Sequence, residues 1–513
     1  MKGIYTNVND IRKRVFAEVA KLAYDYKDGD LSAMHQIPYN VIPGIEGSYR
    51  NSAFLERAIV SERTRLALGL DLRDFEAFDS LTVGAEKCIQ PETYYEKPLM
   101  NVIKFACHKC PDNVVHITDG CQLCLAHPCM EVCPKNAISV VNGRNQIDQS
   151  KCIKCGKCIA ACPYHAIMKL ERPCAKACGV KAIGSDANGA ADIDYEKCVS
   201  CGQCQVNCPF GAISDKSQIF QTIQAIKSDV PVYAAIAPAV TGQFGPAMTP
   251  ERIRTAFQAL GFKDVYEVAI GADLCTIEEA KDFIREVPDE IPFMGTSCCP
   301  AWSKMAKQMF PEQGKCISMA LTPMVLTGRL IKRLDPGCKV AFIGPCAAKK
   351  LEARRRSIRS DIDFVLTFEE VFGMFTAKGI DFSQLEEADT MHGASADGRG
   401  FAFSGGVANA VVNYIKEHYP DREVKTAKAE GLEDCRKMLL LAKAGKYNGY
   451  LLEGMGCPGG CVAGAGTLQA VPKTVKAIQT HMKVSTAQHA SESDYANYLN
   501  VLEEDDHKAP MEE

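Results

Sequence analysis

Cysteine is the residue type that most constrains this chain. Sixteen of its 26 cysteines fall within residues 106–215, mostly in CxxC and CxxxCP patterns. In a short secreted chain, such a density would indicate a disulfide framework. This chain has 513 residues, and its N-terminus lacks the apolar segment of a signal peptide. We therefore expect a reduced, cytoplasmic protein whose thiolates bind metal.

Charge and hydropathy argue against two classes of partner. The net charge is −4 and the pI is about 6.3, so the composition indicates no basic surface for nucleic acid. No run of about 18 apolar residues is present, so we expect no membrane span. The expected partners are therefore neither nucleic acids nor membranes.

Two segments, "CIKCGKCIAACP" and "CVSCGQCQVNCP", carry the CxxCxxCxxxCP spacing that binds [4Fe–4S] clusters in bacterial-type ferredoxins. A third segment, "CQLCLAHPCMEVCP", is a variant with a longer second gap. The short segments "CHKC" and "CAKAC" complete a set of sixteen cysteines, which is enough for four clusters. The predicted ligands are Cys107, Cys110, Cys121, Cys124, Cys129, Cys133, Cys152, Cys155, Cys158, Cys162, Cys174, Cys178, Cys198, Cys201, Cys204 and Cys208.

The motif geometry predicts how these cysteines pair, because three thiolates of a run bind one cluster and the fourth binds its neighbour. A first module would bind clusters through the sets Cys121, Cys124, Cys129, Cys162 and Cys133, Cys152, Cys155, Cys158. A second module, split by the first, would use the sets Cys107, Cys110, Cys174, Cys208 and Cys178, Cys198, Cys201, Cys204. Alternatively, the run 152–162 pairs directly with the run 198–208.

From about residue 230, apolar β-branched runs such as "VPVYAAIAPAV", "DVYEVAIGAD" and "KVAFIGPC" alternate with helical patterns such as "PERIRTAFQALGF". This alternation predicts an α/β domain with mainly parallel strands. Cysteines and glycines follow several of these strands, where open α/β sheets place their sites. The whole chain is predicted to be a multidomain α+β and α/β protein. Its parts are a helical N-terminal region (1–105), ferredoxin-like modules (106–215), the α/β domain (216–470) and a helical, polar, solvated tail (471–513).

Three segments, "TSCCPAW", "GPCAAKK" and "EGMGCPGGCVAGAG", resemble the three signature segments of [FeFe]-hydrogenases, in the same order. The resemblance implies reversible conversion of two protons and two electrons to H₂ at an H-cluster. That group is a [4Fe–4S] cubane joined to a diiron unit with CO, cyanide and azadithiolate. It also implies two lobes around the active site. By position, the cubane ligands are Cys299, Cys346, Cys457 and Cys461, with Cys461 as the bridge to the diiron unit.

The same resemblance assigns roles to further residues. Cys298 would be a free thiol at the end of a proton relay that runs from Asp282 through Ser318 to Glu279. Lys349 would donate a hydrogen bond to a cyanide ligand. The other residues expected beside the diiron unit are Ala237, Pro238, Met455, Ser404 and Gly405.

The sequence departs from the common family pattern at four positions, which are Gly344, Met324, Ala239 and Ala301. They border the expected diiron pocket and indicate a divergent subgroup. The implied partners are ferredoxin or a similar electron carrier, together with maturation proteins that supply the diiron unit. Two alternatives remain: a sensory or regulatory hydrogenase with low turnover, and a non-enzymatic relative that serves iron–sulfur assembly.

Overall fold

The N-terminal region is helical in the computed structural model, which describes residues 3–27, 29–90, 95–388 and 393–504. Its α-helices are Asn7–Asp25, Ile37–Val41 and Ala53–Ala67. The first begins at Thr6, whose Oγ1 accepts a hydrogen bond from the Asn9 N–H at 3.2 Å. Its apolar face buries Val15, Phe16 and Val19 against the helix Phe368–Lys378. The N-terminal region is therefore packed directly on the α/β domain.

One boundary of the predicted organisation is wrong. The strand Met100–Val102 falls inside the region expected to be helical, and it pairs antiparallel with Ile213–Asp215. Because that pairing brings the two ends of the cysteine-rich region together, residues 100–102 belong structurally to the second module.

The cysteine-rich region consists of antiparallel strand pairs and single-turn helices. The first module contains the pairs Val114–Ile117 with Ile167–Leu170 and Ile138–Val141 with Arg144–Ile147. The second contains Ile183–Ser185 with Ala191–Ile193, in addition to the pair that closes its ends. The helices are Pro128–Glu131, Lys157–Ala161, Pro173–Lys176 and Gln203–Asn207. The first module thus emerges from within the second, as predicted from the spacing.

Two parallel sheets form the α/β domain, which confirms the predicted fold class. The first sheet has the strand order Val265–Glu267, Val232–Ile236, Lys339–Gly344 and Phe364–Thr367. The second has the order Met294–Gly295, Tyr450–Met455 and Lys425–Glu430. The carboxyl ends of both sheets point to one region between them, where ligands bind in this class of fold.

The helices of this domain cover the two sheets, and several begin with proline, whose missing N–H costs nothing at that position. One predicted strand is mostly helical. The run "DVYEVAIGAD" is extended only at Val265–Glu267, after which Val268–Glu286 is helical. That helix is buried on most sides, so its apolar start resembles a buried strand in sequence. The helices are Ile219–Lys227, Pro250–Leu260, Val268–Glu286, Pro300–Met309, Pro311–Gly314, Pro323–Leu334, Ala348–Glu352, Phe368–Lys378, Ala396–Gly400, Gly406–His418 and Leu432–Lys443.

The C-terminal segment is not a solvated tail in the part that the structure describes. Its helices are Val471–Lys483 and Tyr498–Glu504. Ile478, Leu499 and Leu502 are buried within the hydrophobic cores of the α/β domain. The acidic residues beyond 504 lie outside the described residues. Among the described helices, none has the length and apolar character needed to cross a lipid bilayer.

Candidate metal centres and active site

Three cavities in the cysteine-rich region are each lined by four predicted ligands. Their volumes are similar, at about 310, 320 and 360 Å³. Among the described residues, no group of three or more His, Cys, Asp or Glu side chains is placed to hold a single metal ion. The sets are Cys107, Cys110, Cys174, Cys208, then Cys121, Cys124, Cys129, Cys162, then Cys133, Cys152, Cys155, Cys158.

The remaining four thiols of the sixteen also approach one another. Burial raises the pKa of the Cys204 thiol well above its ordinary value, and the nearby Cys201, Cys198 and Cys178 raise it further. All sixteen cysteines therefore fall into the four sets given by the crossing rule. The alternative, in which runs 152–162 and 198–208 share a two-cluster module, does not match this arrangement.

In each set, the one cysteine that comes from the partner segment lies in the same kind of backbone turn. Each Sγ accepts a hydrogen bond of 3.2 to 3.4 Å from the N–H of the alanine four residues later. The residue before each alanine has a positive φ, between 46° and 60°. "CGVKA", which has no proline after Cys178, forms the same turn as the CP segments. The four pairs are Cys133 with Ala137, Cys162 with Ala166, Cys178 with Ala182 and Cys208 with Ala212.

The loop that starts each CxxC segment repeats as well. The residue two positions after the first cysteine of the segment has a positive φ in all four cases: Lys109, Leu123, Lys154 and Ser200. The N–H groups of Lys154 and Ser200 lie 3.4 Å from the sulfurs of Cys152 and Cys198. Main-chain donors aimed at sulfur favour the thiolate form that iron requires. The residues present therefore fit [4Fe–4S] clusters at all four sets.

A second group of thiols meets at the carboxyl ends of strands from both sheets. Cys299 follows Met294–Gly295, Cys346 follows Lys339–Gly344, and both Cys457 and Cys461 follow Tyr450–Met455. We call these four cysteines the four-thiol site. Burial raises the pKa of Cys457 well above its ordinary value, and the nearby Cys346, Cys299, Cys201 and Cys461 add to the effect. The cubane ligands predicted from the resemblance are therefore neighbours in space.

The second module lies directly against the four-thiol site. Burial, with Cys178, Cys198 and Cys346 nearby, raises the pKa of Cys201 to about 12. The next residue, Gly202, makes this approach possible: a Cβ there would lie 2.5 Å from the Cβ of Ala465 and 3.3 Å from that of Ala347. The Cys178, Cys198, Cys201, Cys204 set is thus the one next to the four-thiol site.

Cys298 and Glu279 also lie near the four-thiol site, because Cys299 and Cys461 both act on the Cys298 thiol. Glu279 is fully buried on the helix Val268–Glu286, and its Oε1 accepts a hydrogen bond from the Ser297 N–H at 2.6 Å. Burial raises the pKa of Glu279 to about 7, although that hydrogen bond opposes the shift. Burial, together with Glu279 and Cys275, raises the pKa of Cys298 well above its ordinary value. Cys298 is therefore a neutral thiol beside a carboxyl group that titrates near neutral pH.

The outer residues of the predicted relay, Ser318 and Asp282, have partners that the sequence did not indicate. Ser318 Oγ accepts a hydrogen bond from the Ala320 N–H at 3.1 Å. Asp282 is buried, and Arg285 Nη2 lies 2.5 Å from its Oδ1. The structure therefore places Glu279 beside Cys298, and the path from Asp282 through Ser318 stays a prediction.

Lys349 has a partner that the sequence did not indicate. Its Nζ lies 2.7 Å from Glu352 Oε2, and both side chains are buried. Burial lowers the pKa of Lys349, but the Glu352 carboxylate outweighs that effect, and the pKa lies above its ordinary value. An ammonium has three N–H donors, so an ion pair with Glu352 leaves donors for an anionic ligand.

The other residues assigned to the diiron pocket lie at strand ends or in a loop beside Cys461. Ala237 follows the strand Val232–Ile236, with Pro238 next in the chain, and Met455 ends its own strand. The Gly405 N–H donates to Glu453 Oε1 at 2.6 Å, and the Ser404 N–H donates to the Gly459 carbonyl at 3.3 Å. Ser404 Oγ is buried without a hydrogen-bond partner among the described residues, which leaves a hydroxyl for a ligand.

The four positions that depart from the family pattern are all buried. At Gly344, a Cβ would lie 2.6 Å from the ring of Phe342 and 3.2 Å from the Cβ of Ala237. The Phe342 ring thus occupies the space that a methionine side chain would need. Met324, Ala239 and Ala301 are each at most 2% exposed, so their substitutions alter packing rather than surface chemistry.

Three comparisons with known proteins agree with this geometry. Residues 230–465 match the family described as "Iron only hydrogenase large subunit, C-terminal domain". Residues 151–212 match a "4Fe-4S dicluster domain", and residues 121–171 match an "LdpA Fe-S cluster-binding domain". The periplasmic [Fe] hydrogenase large subunit of Nitratidesulfovibrio vulgaris is 31% identical over 397 residues, covering 66% of this chain and 91% of that protein. This chain belongs to the iron-only hydrogenase family.

Other relatives of this hydrogenase-family chain have different names. Iron hydrogenase 1 of Clostridium pasteurianum is 29% identical, over 67% of this chain and 69% of that protein. Cytosolic iron-sulfur assembly component 3 of Bos taurus is 26% identical, over 45% of this chain and 60% of that protein. A solved [FeFe]-hydrogenase from Chlamydomonas reinhardtii covers 56% of this chain and 94% of its own, with a TM-score of 0.46 and 20% identity. The proteins similar to this chain thus include some named as hydrogenases and some named for iron–sulfur assembly.

Proposed function

We propose that this hydrogenase-family chain catalyses the reversible reaction 2H⁺ + 2e⁻ ⇌ H₂ at an H-cluster, with electrons supplied through four [4Fe–4S] clusters. The observation that carries the proposal is the four-thiol site. Its thiols converge from both sheets, with Cys201 of the second module near Cys457 and with Glu279 near Cys298. An electron route and a proton route therefore end at the same buried place.

The residues of the four-thiol site fit the cubane of the H-cluster. Cys299, Cys346, Cys457 and Cys461 would bind it, and Cys461 would bridge to the diiron unit with its CO, cyanide and azadithiolate ligands. When bound, the H-cluster supplies the redox chemistry and the open iron position. Lys349 and the unpartnered Ser404 hydroxyl would donate hydrogen bonds to the polar ligands of the diiron unit, because buried polar groups need partners.

Side chains of this protein would transfer the protons. The Cys298 thiol holds a proton at the four-thiol site because its pKa lies well above neutrality. Glu279, with a pKa of about 7, accepts and releases a proton at similar cost near neutral pH. Asp282 would exchange protons with water. Ser318 can still donate its O–H along this route, since the Ala320 N–H occupies only an acceptor site of its oxygen.

Electrons would pass from the first module to the second. Cys155 of the first module is exposed. In the second module, Cys204 is buried and Cys201 lies near Cys346 of the four-thiol site. Ferredoxin or a similar carrier would therefore deliver electrons at the first module. Maturation proteins would supply the diiron unit.

A second candidate function is iron–sulfur assembly without H₂ chemistry. Two observations favour it. Lys349 is already paired with Glu352, and buried substitutions at Gly344, Met324, Ala239 and Ala301 reshape the diiron pocket. A protein of this kind would bind the cubane through the four-thiol site and would never receive the diiron unit.

Infrared spectroscopy combined with gas chromatography separates the two functions. The full chain is matured anaerobically with the diiron unit, and absorption is recorded in the carbonyl and cyanide region. The proposed function predicts bands in this region and H₂ evolution from reduced methyl viologen. Absence of the bands, with cubane iron still present, supports the assembly role. Bands without H₂ turnover contradict the enzyme proposal.

A further inference from the structure

Guanidinium groups donate hydrogen bonds to the main chain around the thiol set Cys107, Cys110, Cys174 and Cys208. Arg50 Nη2 lies 3.1 Å from both the Ala106 carbonyl and the Phe210 carbonyl, next to the first thiol and two residues beyond the last. Arg63 Nη2 donates to the Gly211 carbonyl, in the turn that follows Cys208. Both arginines belong to the N-terminal region. This region therefore donates to the main chain on both sides of one cluster site.

The charge on Arg63 persists despite its burial. The side chain is only 5% exposed. Burial, with Arg12 nearby, lowers the pKa of Arg63 to about 9, and Cys208 opposes that shift. Arg63 therefore carries its proton at neutral pH. The carboxylate that influences it is that of Glu369, which forms its own ion pair with Arg12 at 2.7 Å.

A third guanidinium, from within the second module, lies at the same site. Arg172 is 3% exposed, and its Nε and Nη2 donate to the Cys110 carbonyl at 3.2 and 3.1 Å. It also lines the cavity between the four thiols. By contrast, the lysines around the Cys133, Cys152, Cys155, Cys158 cavity are exposed, so water and salt screen their charges.

These contacts bear on redox chemistry because reduction adds one negative charge to a cluster. Burial disfavours added charge, and fixed cations nearby favour it. Net charge and hydrogen bonding are the means by which proteins set cluster potentials. We propose that the N-terminal region, through Arg50 and Arg63, raises the reduction potential of the cluster at Cys107, Cys110, Cys174 and Cys208. This keeps a buried cluster reducible within the relay, and the inference rests on the cluster binding of the proposed function.

The test is an EPR-monitored redox titration of the full chain, reconstituted with iron and sulfide. The signal of this cluster is the one lost in a Cys107→Ser variant. In Arg63→Gln, its midpoint moves to more negative potential while the midpoints of the other clusters stay in place. In Arg63→Lys, which keeps the positive charge, the midpoint returns toward the wild-type value. The measurement requires no H₂ turnover, so failure of the proposed activity does not affect it.

Arg65 provides a matched control on the same helix. It is 4% exposed, and it donates to the carbonyls of Asp71, Leu81 and Val83, all within the N-terminal region. Arg65→Gln should leave the midpoint of this cluster unchanged. The proposal is overturned if Arg63→Gln leaves the midpoint in place, or if Arg65→Gln shifts it equally. If Arg63→Gln loses the cluster by iron count, Arg50→Gln is titrated instead. Loss of the cluster in both variants assigns the arginines to structure and also overturns the proposal.

Discussion

The first and second modules share their backbone turns but differ in what surrounds them. Both place the cysteine that comes from the partner segment under an alanine N–H, with the same positive φ before it. In the first module, Cys155 is exposed, and so are Lys154 and Lys157 around it. In the second, Cys174, Cys204 and Cys208 are buried between the N-terminal region and the α/β domain.

This difference indicates that local sequence decides how a cluster is bound, whereas packing decides what the cluster can exchange electrons with. A module that reaches solvent can meet a soluble carrier. A module enclosed by protein can pass electrons only to its neighbours, and it needs fixed charges to offset the cost of burial. Matched substitutions in the two modules should therefore differ in their effects.

The largest difference concerns the ion pairs of the two modules. Lys350 is fully buried, and its Nζ lies 2.8 Å from Asp215 Oδ2 of the second module and 2.6 Å from Glu370 Oε1. Lys350→Met leaves Glu370 buried without this cation and Asp215 with only Arg12 at 3.8 Å, so it should lower the free energy of unfolding by about 3–5 kcal/mol. Lys169, in the first module, pairs with Glu171 at the surface. Lys169→Met should leave the stability nearly unchanged in denaturant titrations. Equal losses would contradict the difference between the modules.

Loss of one cluster ligand should affect H₂ evolution differently in the two modules. Cys201→Ser removes a thiolate beside the four-thiol site, so H₂ evolution from reduced methyl viologen should fall roughly 100-fold, equivalent to about 2.7 kcal/mol in activation free energy. Cys155→Ser, in the first module, should preserve viologen activity because a small dye can reduce the second module directly. It should reduce activity with a protein carrier. A Cys155→Ser enzyme inactive with both donors would show that electrons must enter through the first module.

Two equivalent glycines test the contact between the second module and the α/β domain. Gly202 and Gly156 both follow the second cysteine of a run and have φ values of 77° and 79°. An alanine at either position costs about 1–2 kcal/mol for the left-handed backbone. Only at Gly202 does the added Cβ also meet Ala465, at 2.5 Å, whereas Gly156 has open space around it. Gly202→Ala should therefore slow viologen-driven turnover several-fold, and Gly156→Ala should not. Equal turnover in both variants would contradict the role of this contact in electron transfer.

The sequence predicts the cluster sets well because their ligands lie in short local runs whose spacing restricts which thiols can meet. Cys178 follows from counting the cysteines, and the alanine four residues later is a local signal that supports it. The four-thiol site is predictable for a related reason, since each of its cysteines follows a strand.

Burial and the partners of individual side chains are not predictable in the same way. Glu352 pairs with Lys349 within one helix, but nothing in the sequence distinguishes Glu352 from a surface residue. The Ser297 N–H that holds Glu279 comes from another element, and the strand Lys425–Glu430 is too polar to suggest a sheet edge. The start of the helix Val268–Glu286 resembles a strand because a fully buried helix loses its amphipathic period.

Under the proposed function, the adjacent cysteines Cys298 and Cys299 serve proton transfer and iron binding, respectively. Infrared spectra and H₂ turnover of Cys298→Ser and Cys299→Ser, recorded after identical anaerobic maturation, distinguish these two roles. Cys298→Ser should keep the carbonyl and cyanide bands and lose nearly all turnover, because the proton donor beside Glu279 is gone. Cys299→Ser should lose the bands themselves, since a cubane ligand is missing. A Cys298→Ser protein that evolves H₂ at the wild-type rate would contradict the assignment of Cys298 to proton transfer.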